Sequence, residues 1–243
     1  MSFNNKIWMY WNDGIKSAPK SVQRCIDSWK VQNKNYEVVV LDDNTISDWV
    51  DIPNFKDTDM TIQAFSNILR IFLLSKYGGI WADATLWCTK SVDEWVDNHT
   101  EDFFVFSNPT DSRMIASWFV KSSKDNMILK EWKDSVIDYI ENIKVVINNF
   151  WFHGLFEKIY NENIDVKNQW DSVLKYDVNM NNRVLENPLY FSKITDDGLD
   201  DLDDDFKFGV LNKTSPMYKL GWTRTNLIDT KKVKFLMGHG NDK

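Results

Sequence analysis

A single aspartate sets the chemistry open to this chain. Asp83 follows the short apolar run Ile80-Trp81-Ala82, and a carboxylate delivered to the carboxyl end of a buried strand can hold a divalent cation. Other candidates are scattered. His153 lies in the aromatic run Phe150-Trp151-Phe152-His153-Gly154-Leu155-Phe156. Such a histidine is either a core residue with one satisfied ring nitrogen or a group near neutral pKa that contacts a hydroxyl or a phosphate. Asp42-Asp43-Asn44 invites a metal reading, but Asp43 or Asn44 capping a short helix from Thr45 to Val50 is the better account. The acidic stretch Asp196 to Asp205 lacks the glycine register and the closing glutamate of an EF-hand, so it reads as a solvated loop. The chain then turns basic at Lys213, Lys219, Arg224, Lys231, Lys232 and Lys234. That excess could counter a diphosphate, could rest on an anionic membrane surface, or could be an ordinary exposed face.

These groups are positioned by a recognisable succession of elements. Ile62, Phe65, Leu69, Phe72 and Leu73 recur at helical spacing and predict a helix with one buried face. Gly78-Gly79 ends it, because glycine takes a left-handed conformation without steric cost. Ile80-Trp81-Ala82 then reads as a buried strand. Upstream, Lys6 to Trp11 predicts a first strand closed by the Asn12-Asp13-Gly14 turn, Pro19 to Gln32 a helix with Val22, Ile26 and Trp29 on one stripe, and Tyr36 to Leu41 a second strand. Strand, helix and strand at this spacing form a βαβ unit and imply a parallel sheet. Downstream, Leu86 to Cys88 reads as extended, Ser91 as the cap of a short helix to Trp95, and Asp102 to Ser107 as a strand stopped by Asn108-Pro109. Met114 to Val120 predicts a strand and Asp125 to Tyr139 a helix.

Ser66-Asn67-x-x-Arg70, Tyr77-Gly78-Gly79 and Asp83-Ala84-Thr85 together resemble the core of GT-A-type glycosyltransferases, specifically the capsular polysaccharide synthesis family and its sugar-transferase relatives. Those proteins carry a Ser-Asp-x-x-Arg helix, a Tyr-Gly-Gly turn and an Asp-x-Asp or Asp-x-Thr strand end. The resemblance implies a Rossmann-like α/β fold with a mixed, mostly parallel sheet flanked by helices. It also implies one domain over 1–243, with a nucleotide-sugar-binding half at 1–110 and an acceptor-side half at 111–243. Tyr10, Trp11 and Asn12 would lie at the base and ribose of the donor, although Trp11 could equally be core, as Trp8 is expected to be. Asn67, Arg70, Ala82, Asp83 and Thr85 would line the donor, with Arg70 fixing its sugar by charge-assisted hydrogen bonds. Asp83 and Thr85 would hold Mn²⁺ or Mg²⁺, and His239, within Gly238-His239-Gly240, corresponds to a late histidine that completes the metal site in several such enzymes.

The resemblance further implies that His153 contacts the acceptor or a phosphate, that Ala116-Ser117-Trp118 lies toward the acceptor, and that the anomeric configuration is retained. Lys219 is a second candidate for a phosphate. Two departures weaken the pattern. Asn67 replaces a usual aspartate, so its contact would be neutral, and Thr85 replaces a carboxylate, so metal affinity would be weak. The expected activity is transfer of a sugar from a nucleoside diphosphate, most readily uridine-linked, to a hydroxyl of a glycan or lipid-linked glycan. The alternative is a catalytically silent binding module on the same scaffold.

Composition sets outer limits. A 43% hydrophobic content over 243 residues suffices for one sizeable core. A net charge of −7 argues against nucleic acid as the main partner. No apolar stretch reaches the roughly 18 residues that a membrane span needs, and the start lacks a signal segment. Cys25 and Cys88 have neither the number nor the spacing of a disulfide framework or zinc site and read as buried small hydrophobes. All of this suits a cytoplasmic protein that could work at the inner face of the membrane.

Overall fold

The computed structural model describes residues 4–53, 60–96, 102–110, 112–142, 150–173, 176–177, 192–194, 204–220 and 230–239. The first βαβ unit is present as expected: β1 (Lys6–Tyr10), α1 (Lys20–Gln32) and β2 (Glu37–Leu41), with β1 and β2 parallel from Lys6↔Glu37 to Tyr10↔Leu41. Helix α2 (Ile62–Tyr77) crosses to β3 (Gly79–Ala82), which pairs with the other edge of β1, again parallel. A hairpin of β5 (Phe103–Thr110) and β6 (Arg113–Ser122) extends the sheet, β6 running antiparallel to both β3 and β5. With the short β7 (Tyr176–Asp177) parallel to β5, the sheet order is β2-β1-β3-β6-β5-β7. It is a mixed α/β sheet, more parallel than antiparallel.

Both faces of this sheet are covered, which is why its strands read as nearly unbroken apolar runs. Alternate side chains sort to opposite sides. Trp8, Tyr10, Trp81, Phe103 and Val105 pack with α2, α3 (Met127–Asn142), α4 (Trp151–Glu162) and α5 (Ile164–Ser172). Ile7, Met9, Ile80, Ala82, Phe104 and Phe106 pack with α1 through Val22, Ile26 and Trp29. A second small sheet, β4 (Leu86–Cys88), β9 (Met217–Leu220) and β8 (Ser192–Ile194), lies beyond the end of β3, in the order β4-β9-β8. It packs with α6 (Asp204–Leu211) and α7 (Lys231–His239) around Tyr218, Leu220, Val210, Val233 and Leu236.

Three expectations are corrected. The strand through Asp102–Ser107 does not stop at Asn108-Pro109; it continues to Thr110 through a bulge. Asn108 there takes a positive φ of 49°, tolerable for asparagine, and a bulge is a place where proline's missing N–H disturbs no ladder bond. Ile62, expected on the buried face of its helix, is 49% exposed, because the first turn of α2 borders an open cavity beside Tyr10. The turn after β2 is a 3₁₀ segment, Ile46–Asp48, and neither Asp43 nor Asn44 caps it. Asp42 holds it instead, accepting from the Asn44 N–H and the Thr45 hydroxyl, both at 3.0 Å. The acidic stretch through residue 203 and Arg224 lie outside the described residues. Both cysteines are buried free thiols, and burial pushes Cys88 up to about 12.

The paired glycines behave as their position requires. Gly78 and Gly79 have φ of 69° and 95°. A Cβ on Gly79 would sit 2.6 Å from the Lys6 carbonyl oxygen, and one on Gly78 2.7 Å from the Lys124 amide nitrogen. The bend is therefore clamped between the start of β1 and the exit of β6, and the Trp8 indole donates to the Gly78 carbonyl at 2.9 Å. Gly79→Ala is expected to lower stability by at least roughly 1–3 kcal/mol, the strain of a positive-φ residue, with the backbone clash added. Urea unfolding of the two proteins measures this, and an unchanged midpoint would show that the bend can relax.

Candidate functional site

Asp83 stands at the carboxyl end of β3, and both of its carboxylate oxygens are occupied. Oδ1 accepts from Arg70 Nη2 at 3.2 Å and from the Trp81 indole N–H at 2.9 Å. Oδ2 accepts from Lys219 Nζ at 2.8 Å. The acid is neither solvent-flooded nor sealed, with 24% of its side chain exposed. Burial by itself pushes its carboxyl up, but the charges of Lys219 and Arg70 and the hydrogen bonds from Lys219 and Trp81 outweigh that and hold it below the usual carboxylate range.

Each partner arrives by a different route. Arg70 comes from α2 and is 4% exposed. Its Nε and Nη2 donate back to the Ser66 carbonyl and hydroxyl one helical turn earlier, and Nη1 donates to the Ser117 carbonyl of β6. Its guanidinium lies 4.9 Å from the Trp81 ring centre and 5.8 Å from that of Phe152, a cation between two aromatic faces. Burial draws it down to about 10 against the opposing pull of Asp83, so it stays charged at neutral pH. Lys219 comes from β9, where it is registered against Leu86. The Leu86 N–H closes a turn onto the Asp83 carbonyl and the Leu220 N–H bonds the Thr85 carbonyl, both at 2.9 Å. The Asp83–Thr85 turn is thus fastened to β9, and Lys219 Nζ reaches Thr85 Oγ1 at 3.4 Å.

A cavity of about 690 Å³ opens at the carboxyl ends of β1 and β2, and none of Arg70, Asp83, Thr85 and Lys219 is among its walls. Tyr10, Asp43, Val50, Asp51, Met60 and Phe65 are among its walls. The Tyr10 phenol donates to Asp43 Oδ1 at 2.5 Å, and burial with that hydrogen bond raises its pKa well above the usual tyrosine value. Asp83 does not line the cavity. The first turns of α2 bridge the two, since Phe65 borders the cavity and Ser66 receives Arg70.

The structure brings together Arg70, Asp83, Thr85 and Lys219, and places Ala82 and Asn67 nearby as buried residues of β3 and α2. Of the opening aromatic run, only Tyr10 faces the cavity. Trp11 packs with the α1-side cluster, as strand alternation dictates, and Asn12 uses its carbonyl to accept from the Asp43 N–H at 3.1 Å. Trp8 is fully buried, as expected. His153 sits on α4 next to Phe152, and no partner reaches its buried Nδ1 among the described residues. Burial, then Arg113 and Arg70, drive its pKa down to about 3 against the weaker pull of Asp83, so it is neutral at pH 7. His239 stands elsewhere: it is exposed on α7, its ring stacked on Phe235 at 4.4 Å and Nδ1 3.0 Å from the Phe235 carbonyl. Three contributors escaped the sequence reading: Trp81, Ser66 and the Tyr10–Asp43 pair. Trp81 was findable, because residues i and i+2 of a strand share a face.

These residues do not fit a divalent metal as they stand. Asp83 has both oxygens taken by N–H donors, Thr85 is neutral, and His239 is committed to Phe235. Among the described residues no three His, Cys, Asp or Glu side chains converge. One carboxylate and two cations leave the cluster at net +1. At 4 Å, each cation would repel a further unit positive charge by about 4 kcal/mol at an effective dielectric near 20.

Over residues 1–232 the sequence matches the family described as capsular polysaccharide synthesis protein, and the chain belongs to that family. Among curated relatives it is 23% identical over 151 residues to the O-glycosyltransferase braB of Annulohypoxylon truncatum, a match spanning 53% of this chain and 36% of that protein. It is 25% identical over 157 residues to the glycosyltransferase afumC of Aspergillus fumigatus, spanning 55% of this chain and 40% of that one. The matched region is therefore less than half the length of either relative. A solved structure titled PaToxG Glycosyltransferase aligns with a TM-score of 0.48 at 17% identity, covering 70% of this chain and 73% of that one.

The half-buried histidine gives a pH signature. Unfolded, His153 titrates near its ordinary value of about 6.5; folded, it titrates near 3. Between those values the unfolded chain binds the extra proton, so its contribution is complete above about pH 6.5 and is lost on acidification, at up to about 1.4 kcal/mol per pH unit. Asp83, held low, adds loss of the same sign at lower pH. His153→Phe is expected to flatten the fall in stability between about pH 6.5 and 4, measured by urea unfolding at stepped pH; an unchanged slope would place the histidine in solvent.

Proposed function

We propose that this protein is a glycosyltransferase of GT-A type that moves a sugar from a nucleoside diphosphate, most readily a uridine diphosphate, to a hydroxyl of a glycan or lipid-linked glycan. The observation that carries the reading is the Arg70–Asp83–Lys219 cluster at the carboxyl end of β3, with a cavity walled by Tyr10 and Asp43 at the carboxyl ends of β1 and β2. Open α/β sheets bind ligands at that end of their strands. The names of the matched relatives agree with it. Among the described residues no helix is long and apolar enough to cross a membrane.

The chemistry follows from what the cluster offers. As the anomeric C–O bond breaks, its electron pair passes to the β-phosphate oxygen, and charge grows there. Donors fixed in place stabilise it without reorganising. Asp83, doubly ion-paired and held at low pKa, is a poor proton acceptor, and His153 is a weak base by the same measure. The departing phosphate oxygen is then the natural acceptor for the proton of the incoming hydroxyl, on the same face of the sugar. That arrangement favours retention of configuration. Asp83 itself orients the two cations and reaches the donor sugar through its exposed edge.

Asp83→Ala is a poor probe, because it strands a buried guanidinium without its counter-ion, at a cost on the order of 3–5 kcal/mol. Asp83→Asn also removes the counter-ion but keeps the shape and one acceptor oxygen, so its urea-unfolding midpoint is read beside its activity. It is expected to lower sugar transfer by about 100-fold or more, with little change in the circular dichroism spectrum. The assay is release of nucleoside diphosphate from a panel of nucleotide sugars, with and without glycan acceptors. Full activity in Asp83→Asn would remove the acid from the mechanism. Donor binding with neither hydrolysis nor transfer by the native protein would instead identify a silent sugar-nucleotide-binding module.

A further inference from the structure

We infer that the Lys219 ammonium takes the place of a divalent cation, so that the diphosphate of the donor is bound and discharged by protein cations alone. The inference rests on the glycosyltransferase reading and deepens it. Lys219 Nζ occupies the Oδ2 side of Asp83 at 2.8 Å, the position from which a metal would have to draw its one anionic ligand. Arg70 takes the other oxygen. A hard dication seeks several anionic oxygens, and this turn supplies one carboxylate already neutralised, followed by the hydroxyl of Thr85 in the place of a second acid.

Geometry supports a phosphate-binding role over a merely structural ion pair. Lys219 is held on a strand, not a loop, and β9 is pinned to the Asp83–Thr85 turn by the Leu86 register and the Leu220 N–H. Among the described residues only Asp83 and Thr85 accept from its three N–H donors, the latter at a long 3.4 Å, and 24% of its side chain remains exposed. With Arg70 it leaves the site one positive charge in excess, which complements a diphosphate and opposes a metal ion. On cleavage, the β-phosphate oxygen takes the electron pair of the C–O bond, and Lys219 keeps its proton while donating hydrogen bonds to the new charge. No further reagent is needed.

The test is calorimetric titration of the full chain with UDP and with GDP, in excess EDTA and again with Mn²⁺, alongside Lys219→Met and Lys219→Arg. The native protein is expected to bind one of the nucleotides in EDTA with an affinity that Mn²⁺ changes by less than about threefold. Lys219→Met should weaken that binding by about tenfold or more, and Lys219→Arg should restore part of it. Lys219→Met should stay insensitive to Mn²⁺, because Arg70 still occupies Oδ1 of Asp83 and one carboxylate does not make a metal site. Binding by the native protein only when Mn²⁺ is added would overturn the inference and leave the glycosyltransferase reading intact. So would metal-free binding that Lys219→Met leaves unchanged. Absence of binding to either nucleotide in both conditions, with no turnover of any nucleotide sugar, would overturn both.

Discussion

The structure around the site depends on one carboxylate shared between two cations. Asp83 alone, partly buried at a strand end, would be forced toward its neutral form. Arg70 alone, 4% exposed between Trp81 and Phe152, would be a costly buried charge. Together with Lys219 they satisfy one another. In doing so they tie the crossover helix α2, the strand end of β3 and the distant strand β9 into one unit. Nearly every local feature serves that junction: the double glycine turns the chain sharply into β3, Ser66 and the Ser117 carbonyl fix the guanidinium, and the β4–β9 ladder fixes the ammonium.

The first half of the chain was legible because its signals are local. Apolar runs, a proline at a helix start and a glycine pair are features of neighbouring residues, and they placed β1, α1, β2, α2 and β3 correctly. The errors came where two local signals compete. Asn108-Pro109 has the composition of a stop, yet a bulge accommodates both residues and the strand runs on. Asp42, Asp43 and Asn44 are each plausible turn-holders, and only the fold decides that Asp42 holds the turn while Asp43 is claimed by Tyr10, 33 positions earlier. Ile62 fits the helical stripe, but a stripe does not say whether the core extends as far as the first turn.

The site was legible in part for the same reason. Arg70 and Asp83 lie 13 residues apart within one supersecondary unit, and their roles were readable together. That Trp81 would donate to Asp83 follows from strand alternation. That Lys219 would meet Asp83 does not follow from anything local: it was one basic residue in a run of six. Conversely, His239 fitted a familiar pattern of a late histidine, but its ring found an aromatic neighbour one helical turn away, and stacking there needs no metal. The later half of the chain supplies Lys219 as a partner to the acid of the earlier half.

The separation of 136 positions between Lys219 and Asp83 has a bearing on biogenesis. A ribosome delivers the acid, the guanidinium and most of the main sheet well before β9 has left the exit tunnel. During that interval Asp83 and Arg70 form a balanced pair, and the excess positive charge arrives with Lys219. Closure of the β4–β9 ladder is thus what completes the cluster, and a polypeptide interrupted before it would lack Lys219.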